Sequence, residues 1–113
     1  MYNQRDVLIV RIPFTDLKSS KKRPVLVLSN DRYNAKSKDL IVAAITSNIS
    51  SKVFSVIISS DDMETGSLKT TSCIRADKIY TISQDIVIIK IGAVKDHIFQ
   101  KVIRKIEQLL KAK

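Results

Sequence analysis

The stretch Ile86-Val-Ile-Ile-Lys-Ile-Gly-Ala-Val-Lys-Asp-His-Ile-Phe-Gln-Lys-Val-Ile-Arg-Lys-Ile-Glu-Gln-Leu-Leu110 changes its period midway. Ile86–Ile91 is a short run rich in β-branched residues, too brief for a helix and suited to a strand. From Lys95 onward the apolar positions are Ile98, Phe99, Val102, Ile103, Ile106, Leu109 and Leu110, the spacing of one face of an amphipathic helix. Lys101, Arg104, Lys105 and Lys111 fall on the other faces, and Asp96 stands where an N-cap is expected. A strand hands over to a terminal helix.

Towards the amino terminus the same short-run pattern recurs at Val7–Ile12, Val25–Leu28, Leu40–Ile45 and Val53–Ile58. Polar connections at 13–22, 29–39, 46–51 and 59–71 separate these runs. Between them and the final strand, Ser72–Tyr80 admits one short strand, because Ile74 and Ala76 alternate with Arg75 and Asp77. Connections this short favour antiparallel pairing, since parallel crossovers need a dozen or more residues. The expected class is α+β, mostly β: a small antiparallel sheet with a C-terminal α-helix over one face. Val7–Val10 and Leu40–Ile45 are apolar on both faces, and one helix covers only one of them. The second face must close by barrel-like curling or against a partner subunit, and a homodimer is the economical expectation.

Composition narrows the function classes. With 113 residues, 44% hydrophobic and 27% charged, the chain reads as one globular domain over 1–113. A single cysteine and a single histidine exclude an internal disulfide and a tetrahedral Cys/His zinc site. Cys73 reads as a small core residue and His97 as a surface or half-buried helix residue. Asp61, Asp62 and Glu64 read as a solvated acidic turn rather than a metal site, and no cofactor is expected. The longest apolar run, Leu40–Ile45, is far too short to cross a membrane, and the first ten residues lack a leader pattern. The expectation is a cytoplasmic protein without membrane association. Twenty Lys and Arg against 11 Asp and Glu give a net charge of +9, which points to an anionic partner.

The strongest chemical constellation is Pro13-Phe-Thr-Asp16, then Lys18-Ser-Ser-Lys-Lys-Arg-Pro24, then Val25-Leu-Val-Leu28. It reads as a loop carrying three lysines that delivers Arg23 to the mouth of a strand, with Pro24 stiffening the entry. A guanidinium held there can clamp a phosphate through two parallel hydrogen bonds, with lysines as nearby point charges. Ile45-Thr-Ser47 puts hydroxyls at the end of another strand. Alone, a Lys-rich loop is a solvated surface and strand-end hydroxyls are turn residues.

Taken in order, these segments resemble the MazF/PemK (Kid) family of toxin endoribonucleases. The resemblance runs through Asp6-Val-Leu-Ile-Val10, Pro13-Phe-Thr-Asp16, Lys22-Arg-Pro-Val-Leu-Val-Leu-Ser29, Ala44-Ile-Thr-Ser47, Gly66-Ser-Leu68, Ser72-Cys-Ile-Arg-Ala-Asp-Lys-Ile-Tyr-Thr81 and Lys90-Ile-Gly92. It implies a strongly curved sheet or SH3-like barrel with a C-terminal helix, acting as a homodimer. It also implies metal-independent cleavage of single-stranded RNA at short motifs, leaving 2′,3′-cyclic phosphate and 5′-hydroxyl ends, under inhibition by a cognate antitoxin. By position the family's functional Arg and Thr fall on Arg23 and Thr46. The loop over 15–22 matches the one bordering the RNA groove, which makes Thr15, Asp16, Lys18, Lys21 and Lys22, with Ser47, the candidate RNA-binding residues. Asp16 is the nearest candidate for a general base. Two departures stand out. Arg5 replaces the glycine that usually precedes the opening Asp, a change expected to be neutral for catalysis. Ile86-Val-Ile-Ile-Lys90 replaces an Arg-containing stretch, which bears on the dimer contact or on a supporting interaction. The competing readings are a non-cleaving nucleic-acid binder, a gyrase-poisoning toxin of the same fold and a purely structural β domain. The gyrase reading leans on a Trp-Gly-Ile tail, whereas this chain has no Trp and ends Lys-Ala-Lys.

Overall fold

A computed structural model describes residues 1–13, 20–50 and 54–112. Within them β1 (Asp6–Pro13), β2 (Ser20–Val27), β3 (Asp39–Thr46), β4 (Ser55–Ile58), β5 (Met63–Gly66), β6 (Ser72–Ser83) and β7 (Val87–Val94) form one antiparallel sheet, ordered β4-β6-β3-β2-β1-β7-β5. A short helix, α1 (Asp31–Lys36), joins β2 to β3, and α2 (Asp96–Leu110) ends the chain. The class is α+β, mostly β, as the change of period implied.

Strand alternation sorts the apolar residues into two cores. Val7, Leu26 and Ala43 are paired across β1, β2 and β3. With Ile45, Ile74 and Val94 they pack against Ile98, Phe99 and Val102 of α2. The residues between them, Leu8, Val10, Val25, Val27, Leu40 and Val42, form a second cluster on the other face, with Tyr2, Ile82, Ile86 and Val87 packed against it. Leu8, Leu26 and Leu40 have no exposed surface at all. Burying one such side chain stabilises by about 1.5–3 kcal/mol. Curling of the sheet therefore closes the second face within one chain, so burial of this core gives no argument for a partner subunit.

Several boundaries differ from the sequence reading, each for a local reason. β2 begins at Ser20 rather than Val25, because β1 pairs along its whole length, Val10 with Arg23 and Ile12 with Lys21. Lys21, Lys22 and Arg23 thus lie within a strand, not in a loop before one. The connection over 29–39 contains α1, too short to show a periodic stripe and started by Asn30, whose side chain accepts the Tyr33 N–H at 2.9 Å. The connection over 59–71 contains a 3₁₀ turn at Ser60–Asp62 and the exposed strand β5. β6 runs for 12 residues, and β4 starts at Ser55, Val53 lying outside the described residues. The N-cap of α2 is Lys95, not Asp96. Its N–H donates to Asp62 O at 2.9 Å, while Asp96 sits in the first turn, where the helix dipole favours a carboxylate.

Both departures from the family pattern have structural consequences. Arg5 has φ +81°, the left-handed region that suits glycine, so a side chain there carries conformational strain. Its backbone is fixed from both sides, its N–H donating to Val27 O and its carbonyl accepting from Val94 N, each at 3.0 Å. Lys90 places its Nζ 3.1 Å from the buried Asp6 carboxylate, which also accepts the Asn3 N–H at 2.8 Å. The stretch without arginine still supplies a supporting cation. Elsewhere, Gly66 and Gly92 pair across β5 and β7 with backbones in close approach. A Cβ on Gly66 would collide with the Ile91 carbonyl, and one on Gly92 with the Thr65 carbonyl.

Candidate functional site

β2 and β3 are paired only through Val25–Ala44, Leu26–Ala43 and Val27–Val42. The ladder stops directly after Pro24, which has no N–H to donate. Continuing the register two residues sets Arg23 opposite Thr46 where the strands part. On the other side of β3, Ala44 pairs with Arg75 and Thr46 with Cys73. Strand alternation puts Arg23, Ala44, Thr46 and Arg75 on the face opposite α2. A groove of about 660 Å³ opens there, with Arg23, Thr46, Arg75, Lys78 and Tyr80 on its lining and Ile12, Ile82 and Ile86 forming an apolar wall.

A bulge brings the β6 residues into the groove. Ala43 pairs with Ile79 but the adjacent Ala44 pairs with Arg75, so residues 76–78 have no counterpart on β3. Such insertions bend a strand and re-aim its side chains. Ala76 turns into the core, with its N–H donating to Phe54 O at 2.9 Å, and Asp77 folds back on Arg75. The guanidinium Nε donates to Asp77 Oδ1 at 2.8 Å and Nη2 to Oδ2 at 2.7 Å, a two-pronged charge-assisted pair. The hydrogen bonds from Arg75 hold the Asp77 carboxyl below the usual carboxylate range, and the same bonds raise the guanidinium.

The Arg23 side chain is exposed and makes no hydrogen bond or ion pair among the described residues. Thr46 Oγ1 accepts the Asn48 N–H at 3.1 Å, which orients the hydroxyl and leaves its proton to be donated outward. The arrangement is two guanidiniums, a lysine and a hydroxyl on one face of three neighbouring strands. It suits a phosphate-bearing ligand.

The lysines expected to act together are divided. Lys21 shares a face with Arg23, whereas alternation turns Lys22 to the opposite face, across from Arg11. Ser47 lies in the exposed turn that follows β3. Thr15, Asp16 and Lys18 lie outside the described residues. Sequence reasoning did not single out Arg75, Lys78 or Tyr80. Their segment, Ser72–Thr81, carries strand alternation and part of the family resemblance but no assigned role, and only the register with β3 reveals where they sit. Cys73 is buried, its thiol 3.8 Å from Asn48 O, and His97 is exposed. Asp61 and Glu64 are exposed, and Asp62 accepts the Ser59 N–H at 2.8 Å. Among the described residues no three His, Cys, Asp or Glu side chains come together to hold a metal ion, and no helix is long and apolar enough to cross a membrane.

Solved structures share this architecture. An endoribonuclease in complex with its cognate antitoxin from a mycobacterial species matches over 100% of both chains, with a TM-score of 0.76 and 17% identity. A MazE–MazF complex from Deinococcus radiodurans (Form-III) matches over 96% of this chain and 95% of its own, with a TM-score of 0.80 and 19% identity. The toxin MazF-mt6 of Mycobacterium tuberculosis matches over 89% and 93%, with a TM-score of 0.71 and 20% identity. At these identities the likeness is one of fold. No curated protein matches the sequence. The sequence profile described as PemK-like, MazF-like toxin of type II toxin-antitoxin system, by contrast, matches residues 3–110. That match takes in every strand and both helices among the described residues, with the whole groove, and the chain therefore belongs to the PemK-like, MazF-like toxins of type II toxin-antitoxin systems.

Proposed function

We propose that the protein is a toxin endoribonuclease that cleaves single-stranded RNA at short motifs without a metal ion. The observation that carries this reading is that Arg23, Thr46 and Arg75 line one groove beside the point where β2 and β3 part. Attack of a ribose 2′-hydroxyl on its own 3′-phosphate is intramolecular, so orientation and charge stabilisation supply much of the rate. Arg23 binds two nonbridging oxygens through its fork and protonates the departing 5′-oxygen. Thr46 donates its hydroxyl proton to the same phosphate. Lys78 adds positive charge along the groove and Lys21 extends it, while Arg75, its charge offset by Asp77, keeps guanidinium N–H groups to donate. The products are a 2′,3′-cyclic phosphate and a 5′-hydroxyl. Asp77 is a poor base because Arg75 holds its carboxyl low; the base is assigned to Asp16, whose side chain is outside the described residues.

A cognate antitoxin that covers the groove, homodimerisation and action in the cytoplasm complete the proposal. Ile88 and Ile89, exposed on β7, offer an apolar surface for the second copy. The test incubates purified protein with a long unstructured RNA in EDTA and maps the fragment ends. Cyclic phosphate and 5′-hydroxyl ends are expected, with kcat lowered about 10²–10³-fold in Arg23→Ala, as for removal of an oxyanion donor, and less in Thr46→Val. Loss of cleavage in chelator sinks the metal-free mechanism, and unchanged cleavage by Arg23→Ala sinks the site. Binding without fragments identifies a non-cleaving RNA binder instead.

A further inference from the structure

Tyr80 is the one aromatic side chain on the groove lining among the described residues. Its pairing with Val42 places it on the same face as Arg23, Thr46 and Arg75. Tyr80 is 45% exposed, although most large apolar side chains on that face are buried. Ile82, two residues further along β6 on the same face, adds apolar surface beside it, and Ile12 and Ile86 line the same groove. Because Val42 and Ala44 are two residues apart on β3, Tyr80 and Arg75 are presented roughly 7 Å apart along the strand direction. That offset sets the aromatic surface along the groove from Arg75, and Thr46 lies a further two residues along β3.

We propose that Tyr80 is a platform on which an unpaired nucleobase of the bound RNA stacks, along the groove from the phosphate held by Arg23 and Thr46. The inference rests on the reading of the groove as an RNA site and adds what it selects. Every base has a π-face, so stacking here tolerates sequence changes, whereas a base inside a duplex already has both faces covered. Tyr80 thereby makes the groove select single strands by the base, in addition to the backbone charge that any RNA offers.

The test uses fluorescently labelled random-sequence 2′-O-methyl RNA heptamers, which lack the attacking hydroxyl and are not cleaved. A fully abasic 2′-O-methyl ribose-phosphate chain of the same length and a fully paired hairpin serve as comparisons. Tyr80→Ala is expected to weaken heptamer binding about five- to hundredfold, the range for loss of one base–aromatic stack. Tyr80→Leu, which keeps apolar cover on the strand, should follow Tyr80→Ala, and Tyr80→Phe should retain wild-type affinity. The abasic chain should bind wild type and Tyr80→Ala alike, and the preference for heptamer over hairpin should shrink in Tyr80→Ala. If wild type and Tyr80→Ala bind the heptamers equally while Arg23→Ala binds weakly, the platform is overturned and the RNA site stands. If wild type does not bind the heptamers, or Arg23→Ala binds them as tightly, the reading of the groove itself fails.

Discussion

The two faces of β2 and β3 are built from the same eight-residue strands and end in opposite chemistry. Beneath α2, Leu26, Ala43 and Ile45 continue one closed core from strand to strand. On the other face Val25 and Val42 begin an equally buried cluster, but it stops where the strands part, and Arg23 and Thr46 follow. Alternation alone assigns each residue to packing or to the groove. A shift of one position would exchange Arg23 with Pro24 and Thr46 with Ile45, burying charge and exposing core. Register here is thus a condition of function as much as of stability.

Mutations on either side can break or sharpen that contrast. The largest effect is expected from Leu26→Ala, which opens a cavity under α2 and should cost about 2–5 kcal/mol in urea unfolding. On the groove face Arg23→Ala removes an exposed side chain and should move the unfolding free energy by no more than about 0.5 kcal/mol. Comparable losses from the two would show that the faces are not energetically separate. A subtler contrast lies between neighbours: Lys21→Ala should reduce the salt-dependence slope of RNA binding by about 1, and Lys22→Ala should leave it unchanged. Equal slopes would show that alternation does not divide the lysines.

The smallest effect concerns pH. The Asp77 carboxyl is held low by Arg75, so the pair stabilises the fold above the unfolded-chain value of about 3.9. That contribution is lost as pH falls through the lower folded value. The raised guanidinium would lose its share only in strong alkali. In an NMR titration the Asp77 midpoint should therefore rise in Arg75→Ala, and an unmoved midpoint would remove the pair as its cause.

Much of the fold was legible because burial leaves a pattern: the α2 stripe identified the helix, short β-branched runs identified five of the strands, Ser72–Tyr80 admitted a sixth, and runs apolar on both faces showed the need for a second closure. β5 and the lysine half of β2 were hidden, since both are held by pairing with β7 and β1 rather than by their own apolar content. α1 was too short to show a period. At the site, Arg23 and Thr46 could be named from the sequence through the family resemblance, and both lie on the groove lining. Arg75, Lys78 and Tyr80 could not be placed, because a bulge three residues long decides which β6 side chains enter the groove. No local pattern encodes that offset.

The glycine pair has a bearing on how the chain tolerates change. Both of its glycines sit at one joint, where β5 meets β7. β5 follows the 3₁₀ turn whose Asp62 carbonyl receives the first N–H of the helix start at Lys95. A side chain at Gly66 or Gly92 pushes against backbone, so it displaces the strand rather than a neighbouring rotamer. The disturbance reaches the anchor of α2 and the lid of the first core while leaving every groove residue intact. Substitutions that silence the protein without touching its cationic face should collect at this joint, and such variants would keep the groove chemistry yet fail for want of a closed fold.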